Sequence, residues 1–280
     1  GQSVEQRTEP IVRDARVNKR SLCIAWLDLR NAFGSLPHPA IRTTLRHIGV
    51  PEAFVELVSN AYTGATTTIC TTDDSTEPIP ILSGVKQGCL LSAILFNLSN
   101  ELIIRAILQK AASVPHNKTV HHHDNLISCL AYADDLVLTT CNKEALQDLL
   151  DVAHTMASIL GLEFRPDKCA TLFIINRKGE PTRIDRHQFQ LNQQQIPSLA
   201  ADETYRYLGD PIGLIHNVDD LDSILPQLID DLTAIQASLL APWQKTWQWT
   251  FVQPALTYAL RAGDPKKKSL MTTIKPLSPP

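Results

Sequence analysis

The chain has 280 residues, 44% hydrophobic and 20% charged, a composition too apolar for a disordered chain and too interrupted by charge for a membrane protein. A length of this order suits one elaborated domain or a domain with an appendage, because single cores stop growing at roughly 250–300 residues. The 26 Lys and Arg against 29 Asp and Glu give a net charge of -3, which taken globally argues against a nucleic-acid partner.

The charge is uneven. Residues 1–50 carry eight bases against four acids and residues 261–275 five against one, whereas Asp219, Asp220, Asp222, Asp230 and Asp231 stand in a stretch without a base. Six cysteines, at 23, 70, 89, 129, 141 and 169, form no C-x-x-C pair and no Cys/His cluster, so reduced thiols are expected rather than a zinc module or a disulfide framework. The opening GQSVEQRTEP has no initiator Met and no secretory pattern, which leads to the expectation that the chain is part of something longer.

In chain order, an arginine-rich helical pattern over residues 5–20 precedes SLCIAWLDL (Ser21–Leu29), a short apolar run that reads as a buried strand ending on Asp28. Residues 40–48 and 51–62 read as two helices, broken by Gly49-Val50-Pro51. The β-branched runs Thr66–Thr71 and Pro78–Leu82 flank DDSTE and suggest a hairpin. After the glycine-marked SGVKQGC, apolar residues recur at helical spacing from Leu91 to about Ala112. Asn97, Asn100, Glu101 and Arg105 interrupt that stretch, so a packed helix is expected and not a membrane span.

Residues 113–125, with His121, His122 and His123, read as an exposed connection. ISCLAYADDLVLTT then places two apolar strands around Asp134 and Asp135, at a hairpin turn. Residues 143–160 form an amphipathic pattern that Gly161 ends, and Thr171–Ile175 reads as another strand. From about Val218 the character changes to one more amphipathic helix and a segment with Trp243, Trp247 and Trp249, which places a boundary near 215. The order gives an α+β domain with a mostly antiparallel sheet and helices on one face.

Adjacent carboxylates inside an apolar segment raise each other's pKa and call for positive charge nearby. Asp28 raises the same demand, since an acid closing a buried strand costs stability. Carboxylates at strand ends can share hard cations, and two magnesium ions so held would suit phosphoryl transfer. Such a pair is otherwise simply a solvated turn.

Five blocks, LDLRNAF, GVKQGCLLSAILFNL, AYADDLVL, GLEFRPDKC and YRYLG, resemble in sequence and order the palm motifs of reverse transcriptases, particularly those of non-LTR (LINE-type) retrotransposons. The resemblance runs from about residue 10 to the end. It implies a right-hand polymerase palm over 1–215, with the end of the fingers region, and the start of a truncated helical thumb over 216–280. The activity implied is RNA-directed DNA polymerisation, in which deoxynucleotides are added to a primer 3′-hydroxyl by two-metal phosphoryl transfer.

By the same resemblance, Asp28 and Asp134 would be direct ligands of two Mg2+ ions, with Mn2+ as a substitute. Asp135 would assist, and the backbone carbonyl of Leu29 would complete the coordination. Phe33 would be a steric gate under the sugar, and Gln87 and Gly88 would face the nascent pair and template. Ser92 is a helix cap or a substrate contact. Lys168 would approach the triphosphate and protonate the leaving pyrophosphate. Tyr207 and Gly209 lie in the primer-grip block. Cys89 and Ala93 depart from the family pattern, which usually has a polar residue and a proline there. The tryptophans would either stack on nucleic acid or pack in the core.

The implied partners are an RNA template, a DNA primer and deoxynucleoside triphosphates, with no membrane and no evident protein partner. The implied location is nuclear or cytoplasmic, as a ribonucleoprotein. No basic fingers block precedes residue 1, so the chain is expected to be the catalytic middle of a longer polymerase. Other readings are a non-catalytic remnant, a co-opted nucleic-acid-binding domain, or a polymerase of an intron-maturase or telomerase-like class.

Overall fold

The computed structural model describes residues 8–214 apart from 73, 123, 124 and 178, and, beyond them, 230–231, 233–241 and 243–244. The chain divides into two units, Gly1–Tyr207 with Pro211–Leu214, and Leu208–Asp210 with Ile215–Pro280. Most of the acidic helix expected from 218, together with Trp247, Trp249, His123 and the basic tail, lies outside the described residues.

The first unit is built on strand β1 (Leu22–Leu27), which is buried along its whole length. β1 follows helix α1 (Thr8–Val17) and precedes three helices, α2 (Ala32–Ser35), α3 (His38–His47) and α4 (Glu52–Tyr62). Gly49, at φ +81°, and Pro51 separate α3 from α4, as the glycine stop and proline restart require. A minimal hairpin, β2 (Thr66–Thr67) with β3 (Ile79–Pro80), leads to the long helix α5 (Leu90–Ala112).

The stretch 113–125 is not the featureless connection expected. It forms a 3-10 turn, His116–Lys118, and then the first strand of a short hairpin, β4 (Val120–His122) with β5 (Asn125–Ile127). There His121 stacks on His116 at 6.0 Å, and its Nε2 lies 3.1 Å from the Thr119 hydroxyl. Three-residue strands are too short to leave a periodic signal.

β6 (Cys129–Tyr132) and β7 (Asp135–Thr140) then form the hairpin expected around the acidic pair. Helix α6 (Lys143–Ile159) is capped by Asn142, whose side chain accepts a hydrogen bond from the Ala145 N–H at 2.9 Å. Gly161, at φ +71°, follows its end. Strand β8 (Ala170–Ile175) precedes short strands that periodicity does not reveal, β9 (Arg183–Ile184), β10 (Gln190–Leu191), β11 (Gln194–Gln195), β12 (Thr204–Tyr207) and β13 (Asp210–Gly213).

The main sheet has the order β6-β7-β1-β8-β9, and every neighbouring pair is antiparallel. Alternate residues of β1 serve two layers. Cys23, Ala25 and Leu27 join the core built with α3, α4, α5 and α6, whereas Leu22, Ile24 and Trp26 are buried outside that cluster. Trp26 donates its indole N–H to the Thr8 hydroxyl of α1 at 3.4 Å and stacks on Tyr205 at 5.3 Å. The main helices thus occupy one face, and α1 and β12 shield the centre of the other.

By length and composition α5 could cross a membrane. Here it buries one stripe, Ser92, Leu95, Phe96, Ser99, Asn100, Ile103, Ile107 and Ala111, and packs on α3, α6 and β6. The core side of α6 is set by Leu146, Leu149, Leu150, Ala153 and Ala157, all 0% exposed. Leu149→Ala is expected to lower the unfolding free energy by about 2–5 kcal/mol, the cost of a core cavity. Urea unfolding followed by circular dichroism measures it, and a loss under about 1 kcal/mol would mean that α6 does not carry the core.

Candidate active site

The antiparallel register of β1 and β7 brings the acids together. Leu27 lies opposite Leu136, and one more step along both strands sets Asp28 opposite Asp135. In the β6–β7 hairpin Tyr132 pairs with Asp135, which leaves Ala133 and Asp134 as the two residues of the turn. Asp28 and the acidic pair therefore share one edge of the sheet.

The segment carrying Asp28 is clamped by the loop Gly161–Cys169. Arg165 N–H donates to the Asp28 carbonyl at 2.9 Å, Arg30 N–H to the Glu163 carbonyl at 2.7 Å, and Asp28 N–H to the Cys169 Sγ at 3.4 Å. Leu29 and Phe164 form an antiparallel bridge whose bonds come from the flanking residues, the non-hydrogen-bonded kind of pair. Such a pair leaves the carbonyl of Leu29 pointing away from the loop, while its side chain is 3% exposed.

All three acids are partly buried. Burial raises the pKa of Asp28 and Asp134 raises it further, against the lowering effect of Lys168 and Arg165. Asp135 is pushed up to about 6, first by burial and then by Asp134 and Asp28. Lys168 is exposed but lies within electrostatic reach of Asp28.

These carboxylates are hard oxygen donors whose mutual repulsion the nearby Lys168 and Arg165 offset only in part. That fits a divalent cation. Among the described residues no three His, Cys, Asp or Glu side chains, these three acids included, are grouped so as to hold a metal ion by themselves. Magnesium needs no such group, because it keeps waters and substrate phosphates in its shell and takes one or two carboxylates per ion.

The turn itself is costly. Ala133 has φ +54°, a left-handed conformation that an L residue without glycine's freedom seldom adopts. Asn100 of α5 donates its Nδ2 to the Ala133 carbonyl at 2.8 Å, while its Oδ1 is buried with no hydrogen-bond partner among the described residues. An unpaired buried acceptor costs about 1–3 kcal/mol. Sequence reading missed Asn100, although a polar residue inside the buried stripe of a helix is the signal that marks it.

Phe33, half-buried, lies on α2 and stacks on the fully buried Phe96 of α5 at 4.4 Å and 23°. The glycine loop is locked to the same segment. Gly84 N–H donates to the Leu36 carbonyl at 2.8 Å, Val85 N–H to the Phe33 carbonyl at 2.7 Å, and the Ser83 hydroxyl to the Gly34 carbonyl at 3.0 Å. Gly84 has φ +86°, and a Cβ there would lie 2.7 Å from the Gly34 Cα and carbonyl oxygen, so no larger residue fits. Gly88, at φ +83°, meets nothing within 4 Å, and both it and Gln87 are exposed.

Ser92 is neither the helix cap nor exposed. Cys89 holds the cap position without a side-chain bond, and the buried Ser92 hydroxyl donates to the Lys86 carbonyl, closing the loop onto α5.

In the YRYLG block the Tyr205 hydroxyl donates to the Lys168 carbonyl at 3.2 Å. Tyr207 is 3% exposed, and burial, helped by Asp135, raises its pKa. Leu208 and Gly209 have φ +51° and +92°, the left-handed pair of a tight turn. Trp243, in the second unit, is 72% exposed.

Comparison with known proteins bears on the same residues. The family model described as "Reverse transcriptase (RNA-dependent DNA polymerase)" matches residues 1–212. The chain belongs to the reverse transcriptase family. It is 36% identical over 203 residues to the retrovirus-related Pol polyprotein from type-2 retrotransposable element R2DM of Drosophila melanogaster, covering 71% of this chain and 18% of that protein. It is 28% identical over 237 residues to the Pol polyprotein from the R2 element of Nasonia vitripennis, covering 84% of this chain and 22% of that one. The chain therefore spans about a fifth of the length of these relatives. Among solved structures, telomerase from Candida tropicalis with a fragment of telomeric RNA is 13% identical, with a TM-score of 0.46 over 99% of this chain and 46% of that one.

All five motif blocks, the last ending at Gly209, fall within the reverse transcriptase match. The raised pKa of Asp135 fixes a pH dependence of stability. Between pH 3.8, the ordinary value of Asp135 in the unfolded chain, and about 6 the folded state holds a proton that the unfolded chain has released. The folded state binds more protons, so stability from this group rises as pH falls from 7 toward 4. In metal-free buffer Asp135→Asn is expected to flatten that rise and to stabilise the protein at pH 7 by on the order of 1–2 kcal/mol after solvent screening. Thermal melts across pH 4.5–7.5 read both effects, and an unchanged pH profile in the variant would remove Asp135 as their source.

Proposed function

We propose that this chain is the palm, with the start of the thumb, of the reverse transcriptase of a non-LTR retrotransposon, an RNA-directed DNA polymerase. The observation that carries the reading is the meeting of Asp28 and Asp134–Asp135 at one sheet edge, through the β1/β7 register, in a chain of this family. Its partners are then an RNA template, a DNA primer and deoxynucleoside triphosphates.

Members of the family generally use divalent metal ions. Two Mg2+ ions held by Asp28 and Asp134, with Asp135 beside them and the free carbonyl of Leu29 as a further donor, would supply activation of the primer 3′-hydroxyl and stabilisation of the leaving oxygen. The chain's own groups do the rest. The 161–169 loop holds Asp28 and Leu29 in place, and Lys168 is positioned to donate a proton to departing pyrophosphate. Phe33, backed by Phe96, presents a rigid ring to the sugar of the incoming nucleotide. Gln87 and Gly88, on a loop locked to Phe33, are exposed and free to meet the nascent pair. Gly209 supplies the tight turn of the primer grip.

A ring held from behind cannot yield to a 2′-hydroxyl, and a clash or an unpaired hydroxyl costs about 1–3 kcal/mol. Phe33→Val is therefore expected to raise ribonucleotide incorporation relative to deoxynucleotide by about 10- to 100-fold. Single-nucleotide extension with matched dNTP and NTP measures the ratio, and an unaltered ratio removes Phe33 as the gate.

Magnesium-dependent extension of a DNA primer on an RNA template tests the function itself. Extension by a full-length protein that carries these residues is expected, with a loss of about 100-fold or more in Asp134→Ala, because metal stabilisation of the transition state supplies several kcal/mol. Template binding without incorporation would instead mark a nucleic-acid-binding domain that keeps the fold.

A further inference from the structure

Helix α5 reaches the acidic turn through a single described hydrogen bond, and that bond falls on the one peptide whose orientation matters. In a two-residue hairpin turn the central peptide can flip, exchanging one turn type for another by changing ψ of the first residue and φ of the second. Here that peptide joins Ala133 to Asp134, and its carbonyl is the Ala133 oxygen that Asn100 Nδ2 holds at 2.8 Å. A flip would reset φ of Asp134 and turn the N–H of Asp134 and the carbonyl of Ala133 to the opposite face of the turn, changing the backbone on which the Asp134 carboxylate is mounted.

The side chain that prevents this is out of place on packing grounds. Asn100 is 2% exposed, between Phe96 and Ile103 of the buried stripe, both 0% exposed. Its Oδ1 has no hydrogen-bond partner among the described residues. A half-satisfied buried amide is worse for stability than an apolar residue of the same size. Asn100 costs the core something, and what it supplies in return is the orientation of one peptide plane.

We propose that Asn100 is the positioning residue of the acidic turn, its amide locking the Ala133–Asp134 peptide and with it the backbone on which the Asp134 carboxylate is mounted. The consequence for catalysis rests on the polymerase reading above; the consequence for the turn does not.

Asn100→Met in the 280-residue chain tests it, with Ser99→Ala as a control in the same buried stripe. The melting temperature of Asn100→Met is expected to equal or exceed that of the parent. Hydrogen–deuterium exchange followed by mass spectrometry is expected to quicken by about tenfold in the peptide spanning 131–136 and nowhere else. The kcat for primer extension is expected to fall roughly 10- to 100-fold, with KM for the deoxynucleotide near the parent value. Ser99→Ala should reproduce none of these changes. Unchanged exchange over 131–136, or acceleration spread across the whole sheet, overturns the proposal, as does a kcat that stays at the parent value while the turn loosens. If the parent chain extends no primer, that result bears on the polymerase reading and not on the turn, and the exchange data alone decide the role of Asn100.

Discussion

The structure depends on one antiparallel register. With β1 paired to β7 so that Leu27 faces Leu136, Asp28 is carried to the side of the acidic turn. A slip by one residue would turn every side chain of β1 to the opposite layer, exchanging Cys23, Ala25 and Leu27 for Leu22, Ile24 and Trp26. Both layers are fully buried, with Cys23, Ala25 and Leu27 on the helix side and Leu22, Ile24 and Trp26 on the other, so a slip would drive the indole of Trp26 into the place that Ala25 or Leu27 fills. Packing volume on the two faces therefore fixes the relative position of three carboxylates that, left to themselves, repel.

The loop at Gly161–Cys169 complements that register. It binds Asp28 through the backbone on both sides, and it brings Lys168 and Arg165 within electrostatic reach of the carboxylate with no ion pair to it among the described residues. Charge at this distance softens the repulsion and leaves the carboxylate oxygens available. A direct ion pair would have filled the coordination positions that a cation needs. Arg165 instead pairs with Asp167 at 3.3 Å, on the exposed side of the same loop.

Long elements were legible in the sequence, and short ones were not. β1, α5, α6 and the β6–β7 hairpin carry enough residues for a period to repeat, Gly49 and Pro51 mark the break between α3 and α4, and Gly161 follows the end of α6 as a glycine stop should. β4, β5 and the strands after β8 have two to four residues each, too few for a period, and exist because neighbouring segments offer them partners. Of the site, the acids, Phe33 and Lys168 could be placed by motif. What could not be read was how they are held: the Phe96 ring behind Phe33, the Gly34 backbone against Gly84, the Lys86 carbonyl that takes the Ser92 hydroxyl, and the inward turn of Tyr207. Each depends on tertiary packing or loop closure that no local periodicity reveals.

Left-handed non-glycine residues also stand at Lys19, Asn31, Asn192, Gln193 and Leu208, and Thr44 also has an unpaired buried oxygen among the described residues, but at the acidic turn three different kinds of cost coincide. Ala133 in a left-handed conformation, Asn100 with an unsatisfied buried oxygen, and Asp135 with a carboxyl raised to about 6 are three separate costs, of backbone, hydrogen bonding and charge, and all three meet at one two-residue turn. A sequence selected for stability alone would relieve each with a common substitution: glycine at 133, an apolar residue at 100, asparagine at 135. Strain that concentrates at one point of an otherwise consistent fold is what a working site leaves behind. The net charge of -3 leads to the same point from the other side. The chain as a whole is not basic, and the charges whose positions the backbone register fixes are acids, Asp28 beside the turn that carries Asp134 and Asp135.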